Sequence, residues 1–442
     1  MTAPDPAVRR GPFAPFRHRT FLAFWTGAFL SNIGTWMEAV GIGIYITNRT
    51  GQAGWTGLVA AAGFLPGGLL GPVGGALADR LPRKQLLLTT TTIQTVMAGY
   101  LTFLAATGHP APWLVTLIVF ISGCANAIGF PTYQSVLPDL VPREDLIGAV
   151  ALSSAQWNLG RVIGPLLAGV VIEAGGYEWA FAVNTVSFLA VIAAIALLRL
   201  PPPTHDGKSI LGSVKQGVSY VRRDPGLRVV MGFMFINTFL AAPFIALVPY
   251  MSLKVLDAGK RGTSILVTVQ GLGAVIMALS LAALAARFGS RRVMLTALWC
   301  LPPVLALYGV MPNLALTALM LFLVGLVYFG ALSSFMSIAQ LRAPAAIRGR
   351  VVSLLAVVLG TLYPLGAVIQ GQLADAIGLR EVTLMAAGAM LVCLIAMKLR
   401  HPRFADALEL PPAPIAPDEL DPHEVAEITA DGIPLPSADP SM

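Results

Sequence analysis

The chain has 442 residues, of which 56% are hydrophobic and 12% are charged. Soluble domains carry about 25% charged residues, so the composition excludes a soluble protein and predicts an all-α protein that crosses a membrane many times. The net charge of +7 therefore reflects membrane topology, and we expect no nucleic-acid partner. The three cysteines lie in apolar runs and the five histidines in loops or tails, which predicts no disulfide framework, no metal site and no cofactor.

Twelve apolar runs follow one another along the chain, and each approaches the roughly 20 residues that a membrane-spanning helix needs. Short loops rich in Pro, Gly or charged residues separate them. We call them spans 1 to 12, and they cover residues 21–47, 54–78, 85–107, 112–135, 147–173, 180–198, 229–252, 263–286, 292–311, 315–340, 351–376 and 382–399.

Lys and Arg are distributed unequally between the two sides of these spans. With the N-terminal segment 1–20 placed inside, 23 of the 29 basic residues lie on the inner side or at the inner end of a span and 5 on the outer side, and Arg161 alone lies deep within a span. The positive-inside rule then places both termini in the cytoplasm. The N-terminal segment has no apolar core or cleavage pattern of a signal peptide, so we expect no cleavage.

A charged loop of ten residues connects spans 2 and 3: Gly75-Ala-Leu-Ala-Asp79-Arg80-Leu-Pro-Arg83-Lys84. It resembles the pattern G-x-L-x-D-R-x-G-R-K between helices 2 and 3 of the major facilitator superfamily, with Pro82 in place of a Gly. If Asp79 moves to the start of span 11, it meets the positive end of that helix beside Arg348 and Arg350. This contact would close the cytoplasmic side. The alternative is a local pair of Asp79 with Arg80 or Arg83.

Span 5 contains a run of small residues, Gly160-Arg161-Val-Ile-Gly164-Pro165-Leu-Leu-Ala168-Gly169. Small residues at four-residue spacing let helices approach closely, and Pro165 bends the helix. The run resembles the G-x-x-x-G-P-x-x-G-G pattern of superfamily antiporters, with Ala168 for one Gly, and this resemblance favours export. We expect Gly164 and Gly169 to seal the two halves of the protein together. A general packing face is the alternative.

A polar interruption at 200–228 divides the spans into six and six. Its apolar residues recur at helical spacing between Ile210 and Val221, which predicts a cytoplasmic linker with a short amphipathic helix on the membrane surface. We therefore expect two pseudo-symmetric six-helix halves, 21–199 and 229–400, around a central cavity. The acidic, Pro-rich tail 401–442 should be disordered in the cytoplasm.

Four further segments resemble one branch of the superfamily, the bacterial secretion effectors, which include the enterobactin exporter and macrolide efflux pumps. These segments are 32–37, 138–142, 158–161 and 348–351, and the resemblance extends over about residues 15–400. It implies a multi-pass transporter of the bacterial inner membrane. An enzyme is not predicted, because the chain shows no Ser/His/Asp set, paired carboxylates or nucleotide-binding loop.

Two ionisable residues lie deep within predicted spans. Glu38 is about 17 residues into span 1 and Arg161 about 14 residues into span 5, roughly 25 Å and 21 Å from the inner ends at 1.5 Å per residue. Charges inside a bilayer are functional candidates, so we predict that the two pair and that Glu38 carries a coupling proton. The alternatives are a static ion pair and a hydrated position of Glu38 at the outer mouth.

The resemblance implies that spans 1, 4, 7 and 10 line the substrate cavity. Aromatic and amide side chains on these spans suit an amphipathic organic molecule, although any single Phe is more often a core or lipid-facing residue than a ligand contact. The predicted cavity residues are Asn32, Asn126, Tyr133, Phe233, Asn237, Phe244 and Ser334.

The sequence thus predicts a monomeric secondary transporter whose partners are a small-molecule substrate, protons and the lipid bilayer. It would export a drug, siderophore or metabolite by proton antiport with alternating access. The alternative is an uncoupled facilitator or an importer of a small solute.

Overall fold

The computed structural model describes residues 11–200, 210–400 and 404–409, and within them fourteen α-helices follow one another. The first six match spans 1 to 6. Each reaches the roughly 20 residues that a bilayer requires. Their bounds are Arg19–Thr50 (α1), Ala53–Arg80 (α2), Arg83–Thr107 (α3), Pro112–Val136 (α4), Leu146–Gly175 (α5) and Tyr177–Ala196 (α6).

The remaining helices comprise the linker helix α7 and spans 7 to 12. Span 7 is divided into α8 and α9, which π-helical segments at Asn237–Ala241 and Met251–Val255 extend. The bounds are Ile210–Arg223 (α7), Pro225–Ile236 (α8), Phe244–Tyr250 (α9), Gly259–Phe288 (α10), Ser290–Val310 (α11), Leu314–Arg342 (α12), Ala345–Ile377 (α13) and Leu379–Arg400 (α14).

Ten of the predicted spans are long and apolar enough to cross a membrane by length and composition alone. The other two, α1 and α3, are 32 and 25 residues long but more polar. The polarity of α3 comes in part from four consecutive threonines, Thr89–Thr92. The Thr90 hydroxyl donates a hydrogen bond to the carbonyl of Leu86 in the same helix. The all-α architecture is confirmed, and the structure is consistent with twelve spans.

The helices pack as two bundles. In the first, α1 lies against α5 and α6, and α3 and α4 complete the group; in the second, α10 and α11 pack on α12, and α11 packs on α14. The main contacts between the bundles are α2 with α13 and α5 with α10. We call the end where α1 begins and α2 ends the proximal end, and the end where α1 ends and α2 begins the distal end.

The linker helix α7 does not lie only on the membrane surface. Tyr220 is fully buried and Val221 nearly so, and α7 packs against α8 and α13. Gly217 lies so close to α13 that a Cβ there would be 3.3 Å from the carbonyl oxygen of Arg350. The apolar face predicted from the sequence therefore covers protein rather than lipid. Residues 201–209 of the linker and 1–10 of the N-terminal segment lie outside the described residues.

A buried ion pair joins the linker to the second bundle. Asp224 ends the linker and caps α8 by accepting from the Leu227 N–H at 2.7 Å. The same carboxylate accepts two bonds of 2.9 Å from the guanidinium of Arg342, at the end of α12. Bidentate pairs of this kind are strong and orient both partners, so the start of α8 is held against the end of α12.

The predicted disordered tail does not begin at 401. Residues 404–408 form a helical turn, in which the Phe404 ring packs edge-on against Phe233 with centroids 5.4 Å apart. Asp406 and Glu409 both pair with Arg291 at the start of α11. Burial of Phe404 and this double ion pair explain why residues 404–409 are ordered, contrary to the prediction. Residues 401–403 and 410–442 lie outside the described residues.

Candidate functional site

A long seam between α2 and α13 joins the two bundles. The helices run antiparallel and approach so closely at Gly68 that a Cβ there would lie 2.9 Å from the carbonyl oxygen of Gly360. Nearer the distal end, the rings of Phe64 and Tyr363 meet edge-on with centroids 5.1 Å apart. Only glycine permits this approach of two backbones, and the seam extends from there to the distal end.

The seam does not extend along the whole of α2. The twelve residues that follow Gly68 add about 18 Å of helix, yet a Cβ at Gly71 or Gly75 would meet no atom within 4 Å. Asp79, near the end of this stretch, is exposed. This face of the proximal third of α2 therefore has no helix of the second bundle against it, although α2 also contacts the linker helix α7.

Other contacts between the bundles also lie toward the distal end. A Cβ at Gly43 of α1 would lie 2.8 Å from the Pro249 side chain of α9, and a Cβ at Gly169 of α5 would lie 2.7 Å from Cβ of Ser264 on α10. By contrast, α4 packs on α2 and α3 of its own bundle, and α12 packs on α10 and α11 of its own. The bundles thus meet at the distal end and separate toward the proximal end.

One carboxylate fastens the distal end. Asp375, two residues before the end of α13, accepts hydrogen bonds from the backbone N–H groups of Ala53 at 2.6 Å and Gly54 at 2.9 Å. These residues begin α2, whose own N-cap residue Gln52 makes no side-chain cap. A negative charge at a helix N-terminus is stabilising, so one bundle supplies the cap that the other lacks.

Asp375 is not among the residues predicted from the sequence, although a sequence signal points to it. The segment Gly371-Gln-Leu-Ala-Asp375 repeats the Gly75-Ala-Leu-Ala-Asp79 pattern of the loop between spans 2 and 3. In both copies the Asp closes a spanning helix. Gly371 packs against the Ala53 carbonyl oxygen, 2.7 Å from where its Cβ would be, whereas Gly75 is open. The two copies thus lie at opposite ends of the same helix pair, one engaged and one open.

Two basic residues of the predicted gating loop, Arg83 and Lys84, bind within the first bundle. Arg83 pairs with Asp139 at 2.7 Å and donates to the Ser135 carbonyl, and Lys84 donates to the carbonyls of Ala196 and Leu198. Asp79 makes no hydrogen bond or ion pair with any described residue. The local pair of Asp79 with Arg80 or Arg83, considered as an alternative, is therefore not formed in this conformation.

The small-residue run of α5 serves two interfaces rather than one. A Cβ at Gly160 would lie 2.8 Å from Nδ2 of Asn32, and one at Gly164 would lie 2.7 Å from the Ile33 carbonyl. Both glycines therefore pack on α1 of the same bundle. Pro165 is buried in the helix, and Gly169 alone of the three glycines faces the second bundle. The prediction that Gly164 seals the halves was wrong, because the helix turns it toward α1.

Glu38 and Arg161 do not pair. Glu38 faces α6, where its Oε2 accepts from Nδ2 of Asn184 at 2.9 Å. Arg161 faces the second bundle, where its Nη2 donates to Oε1 of Gln270 at 3.2 Å. The two side chains leave their helices in different directions. The predicted ion pair is therefore absent among the described residues.

Arg161 lies where four helices meet. Its guanidinium carbon is 4.0 Å from the ring centroid of Phe329 on α12 and 5.5 Å from that of Trp36 on α1. Sequence reasoning missed Gln270 and Phe329, because nothing in the local pattern of α10 or α12 marks them.

The predicted cavity residues of the first bundle divide between a network and an exposed position. Asn32 donates to the Gln156 carbonyl at 3.2 Å, and the Tyr133 hydroxyl contacts both Ser153 and the Gln156 amide. The structure thus brings Asn32 and Tyr133 together through Gln156, which the sequence analysis did not select. Asn126 lies apart from them and is exposed.

The predicted cavity residues of the second bundle are buried. Phe233 packs against Phe404 near the proximal end, and Phe244 packs edge-on against Tyr308 and Tyr328. Both polar atoms of the Asn237 amide are buried without a hydrogen-bond partner among the described residues, as is Oγ of Ser334.

The π-helical turn of span 7 is supported from α13. The wider turn at Asn237–Ala241 leaves backbone carbonyls without their usual partners, and Nε2 of Gln370 donates to those of Phe239 at 3.2 Å and Leu240 at 2.9 Å. Such turns are frequent at functional sites. Gln370 therefore holds an irregular part of a span that the resemblance assigns to the cavity.

A groove of about 470 Å³ runs beside the seam, between α2, α4 and α13. Its lining is almost wholly apolar, with Thr116 the most polar residue in it. Lining side chains include Leu58, Leu65, Trp113, Phe120 and Pro364. The groove suits a lipid chain better than a polar cargo.

The comparisons with known proteins agree on one family. The profile of the transmembrane secretion effector family matches residues 10–427. Macrolide efflux protein A from Streptococcus pyogenes is 24% identical over 384 residues, which are 85% of this chain and 94% of that protein. The enterobactin exporter EntS from Shigella boydii is 28% identical over 347 residues, 76% of this chain and 80% of that protein.

Solved structures show the same fold at lower identity. The nucleoside transporter NupG superposes with a TM-score of 0.69 at 14% identity, covering 88% of this chain and 99% of that one. A POT family transporter in complex with 5-aminolevulinic acid gives a TM-score of 0.71 at 11% identity, covering 87% and 96%. This chain therefore has the same fold as these helical transporters.

Proposed function

This chain belongs to the transmembrane secretion effector family of the major facilitator superfamily, and from that premise we propose that it exports a small organic compound in exchange for protons. As a family member it is a multi-pass membrane transporter and not an enzyme. We place it in the bacterial inner membrane with both termini in the cytoplasm, as the distribution of Lys and Arg favours. The relatives named for macrolide efflux and enterobactin export support outward transport of a drug or a siderophore.

One observation carries the proposed mechanism: the two bundles touch at the distal end and stand apart toward the proximal end. With the termini inside, this is an inward-open conformation, which is the state in which an exporter takes up cargo. Alternating access then requires the halves 21–199 and 229–400 to rock about the central contacts, so that the distal seam opens and a proximal seam forms. Both halves belong to one chain, so a monomer suffices.

The register of α2 and α13 supports a proximal contact in the opposite state. Gly68 lies against Gly360, and continuing the same antiparallel register by eleven residues places Asp79 opposite Gly349, near the start of α13. The N-cap residue of α13, Pro344, supplies no side-chain cap. This register brings Asp79 within one turn of the uncapped start of α13, and we propose that in the outward-open state its carboxylate reaches and caps that first turn, as Asp375 caps α2 here.

Glu38 is the proposed proton carrier. It is half-buried in the middle of α1, and its partner is the neutral amide of Asn184 rather than a cation. A carboxylate bonded only to an amide can gain or lose a proton without breaking an ion pair. It also keeps a hydrogen bond in either state, because the amide of Asn184 has both a donor and an acceptor. Proton binding at Glu38 could then alter the contact of α1 with α6.

The test is cargo flux in proteoliposomes under an imposed pH gradient, with a macrolide and enterobactin as the first probes. We expect gradient-driven flux in the wild type and its loss in Glu38→Gln, which cannot release a proton. Glu173→Gln is the matched control, because Glu173 is an exposed glutamate near the distal end of α5. Wild-type flux that ignores the gradient would instead favour the uncoupled facilitator or importer.

A further inference from the structure

Among the described residues, Arg161 is a cation without a counter-ion in the middle of a membrane span. It lies near the centre of α5 (Leu146–Gly175) at the junction of the two bundles. Charges at this depth are costly unless paired. Yet its one hydrogen bond within the described part of the chain goes to the neutral side chain of Gln270. The deep carboxylate of Glu38 is bound to Asn184 instead. The residue as a whole is half-buried.

The groups around Arg161 are hydrogen-bond donors that lack acceptors. A guanidinium donates five N–H bonds and accepts none, so the oxygen of Gln270 must face it and the amide nitrogen must be the group left over. That nitrogen is buried without a partner among the described residues, and so is Nε1 of Trp36. Gln270 is 3% exposed. Unsatisfied donors in a buried site are costly. An acceptor placed among these groups would therefore be stabilised by them.

Two aromatic rings complete the site. Phe329 and Trp36 lie 4.0 and 5.5 Å from the guanidinium carbon, and they come from α12 and α1, one in each bundle. Rings stacked near a planar guanidinium favour a planar ligand group beside them. The site therefore combines donors for an anion with flat apolar surfaces, and it touches both halves of the transporter.

We propose that Arg161, Gln270 and Trp36 bind the anionic group of the cargo, and that the cargo is an aromatic organic anion such as a carboxylate or phenolate. The ligand would supply the missing negative charge and the missing acceptors, while Phe329 packs against its ring. Since the site bridges both bundles, cargo bound there contacts each half during rocking. This inference rests on the proposed export function and names the class of compound exported.

The test measures binding at equilibrium, without a gradient. Fluorescein and rhodamine 6G share a planar xanthene ring system but carry opposite charges under mildly alkaline conditions, and fluorescence anisotropy reports the binding of each to the purified protein. We expect fluorescein to bind at least tenfold more tightly. Arg161→Gln should weaken fluorescein binding about 10- to 100-fold and leave rhodamine 6G binding unchanged or stronger.

Two variants and a second measurement separate this role from a folding defect. Arg161→Lys keeps the charge and should retain part of the preference, and Arg49→Gln removes an exposed cation from the distal end of α1 and should change nothing. The fluorescence of Trp36 is obtained as the difference between the wild type and Trp36→Phe. Iodide should quench this fluorescence more strongly than the neutral quencher acrylamide does. Arg161→Gln should abolish that difference.

Preference for rhodamine 6G, or equal binding of the two dyes, would overturn the proposal. So would the absence of binding by either dye together with iodide quenching that Arg161→Gln leaves unchanged. These outcomes are independent of the proton-coupling test. A protein that exports cargo against a pH gradient but prefers the cationic dye would keep the proposed function and lose this inference.

Discussion

The distal latch formed by Asp375 predicts a shift in the balance between the two conformations. Its carboxylate accepts two backbone N–H bonds from the first residues of α2, at 2.6 and 2.9 Å. Both bonds cross from one bundle to the other, so they exist only while the distal end is closed. Asp375→Asn keeps one acceptor oxygen and removes the charge. The variant should therefore favour the conformation that is open at the distal end.

The size of the shift follows from the strength of these bonds. A hydrogen bond to a charged group contributes roughly 1.5–3 kcal/mol, and a negative charge at a helix N-terminus adds roughly 0.3–1 kcal/mol. Asp375 is exposed, so solvent screening reduces the sum. Losing one charged bond and the dipole term then costs about 1–2 kcal/mol. At 1.4 kcal/mol per factor of ten, this is a shift of about 5- to 30-fold in the ratio of the two states.

Pulsed electron paramagnetic resonance can measure the populations. Spin labels on exposed positions at the proximal end, Leu81 and Ala345, should move closer together in the variant. Labels on the distal loops, at His109 and Pro312, should move apart. The labels require a background without the free cysteines Cys124, Cys300 and Cys393.

Glu381→Gln is the matched control, because Glu381 is an exposed acid in the first turn of α14 at the same end. It removes the same charge, and it belongs to the same bundle as Asp375. If Asp375→Asn left both distance distributions unchanged, or changed them no more than Glu381→Gln does, Asp375 would not be a latch.

Asp79→Asn should shift the same label distances in the opposite direction and slow export, because it removes the cap proposed for α13; a fully active, well-expressed variant would contradict this. Gly169→Leu should push α5 away from Ser264 on α10 and increase the distance between the distal labels. Gly164→Leu should instead lower the free energy of unfolding by roughly 1–3 kcal/mol, because its side chain would clash with α1 inside one bundle. Equal effects of the two variants on the label distances would refute the assignment of the two glycines to different interfaces. Gln370→Leu should leave two carbonyls of the π-helical turn unbonded and cost about 1–3 kcal/mol, measurable as a lower melting temperature in detergent; an unchanged melting temperature would show that the turn does not need this support.

Much of the fold could be predicted from the sequence because membrane spans depend on length and apolarity, which are properties of single segments. The division into two bundles followed from one polar interruption at 200–228. The turn at 404–408 was missed because its order depends on Phe233 and Arg291, which are remote in sequence. Composition alone cannot reveal such partners.

The site was harder to predict because depth and direction are separate quantities. Counting residues along α1 and α5 gave Glu38 and Arg161 similar depths, but it did not give the rotation of each helix about its axis. That rotation turns Glu38 toward Asn184 and Arg161 toward Gln270. The same limitation assigned Gly164 to the wrong interface. Helix packing decides these directions, and it depends on neighbours that lie far away in the chain.

Asp375 shows the opposite case, in which a sequence signal was present but was not used. The repeated Gly-x-Leu-Ala-Asp pattern links the end of α2 to the end of α13, and only the antiparallel seam gives that repeat a physical meaning. A carboxylate at the end of each helix can cap the start of the other.

The central claim is that cargo and protons move in opposite directions, and one measurement tests it directly. Proteoliposomes that contain a pH-sensitive dye are supplied on one side with the compound identified by the flux assay, and the internal pH is followed with no gradient imposed. Antiport predicts that cargo entry drives proton exit, so the internal pH rises in the wild type but not in Glu38→Gln or in protein-free liposomes. Cargo entry by the wild type without any pH change beyond that of protein-free liposomes would contradict the account.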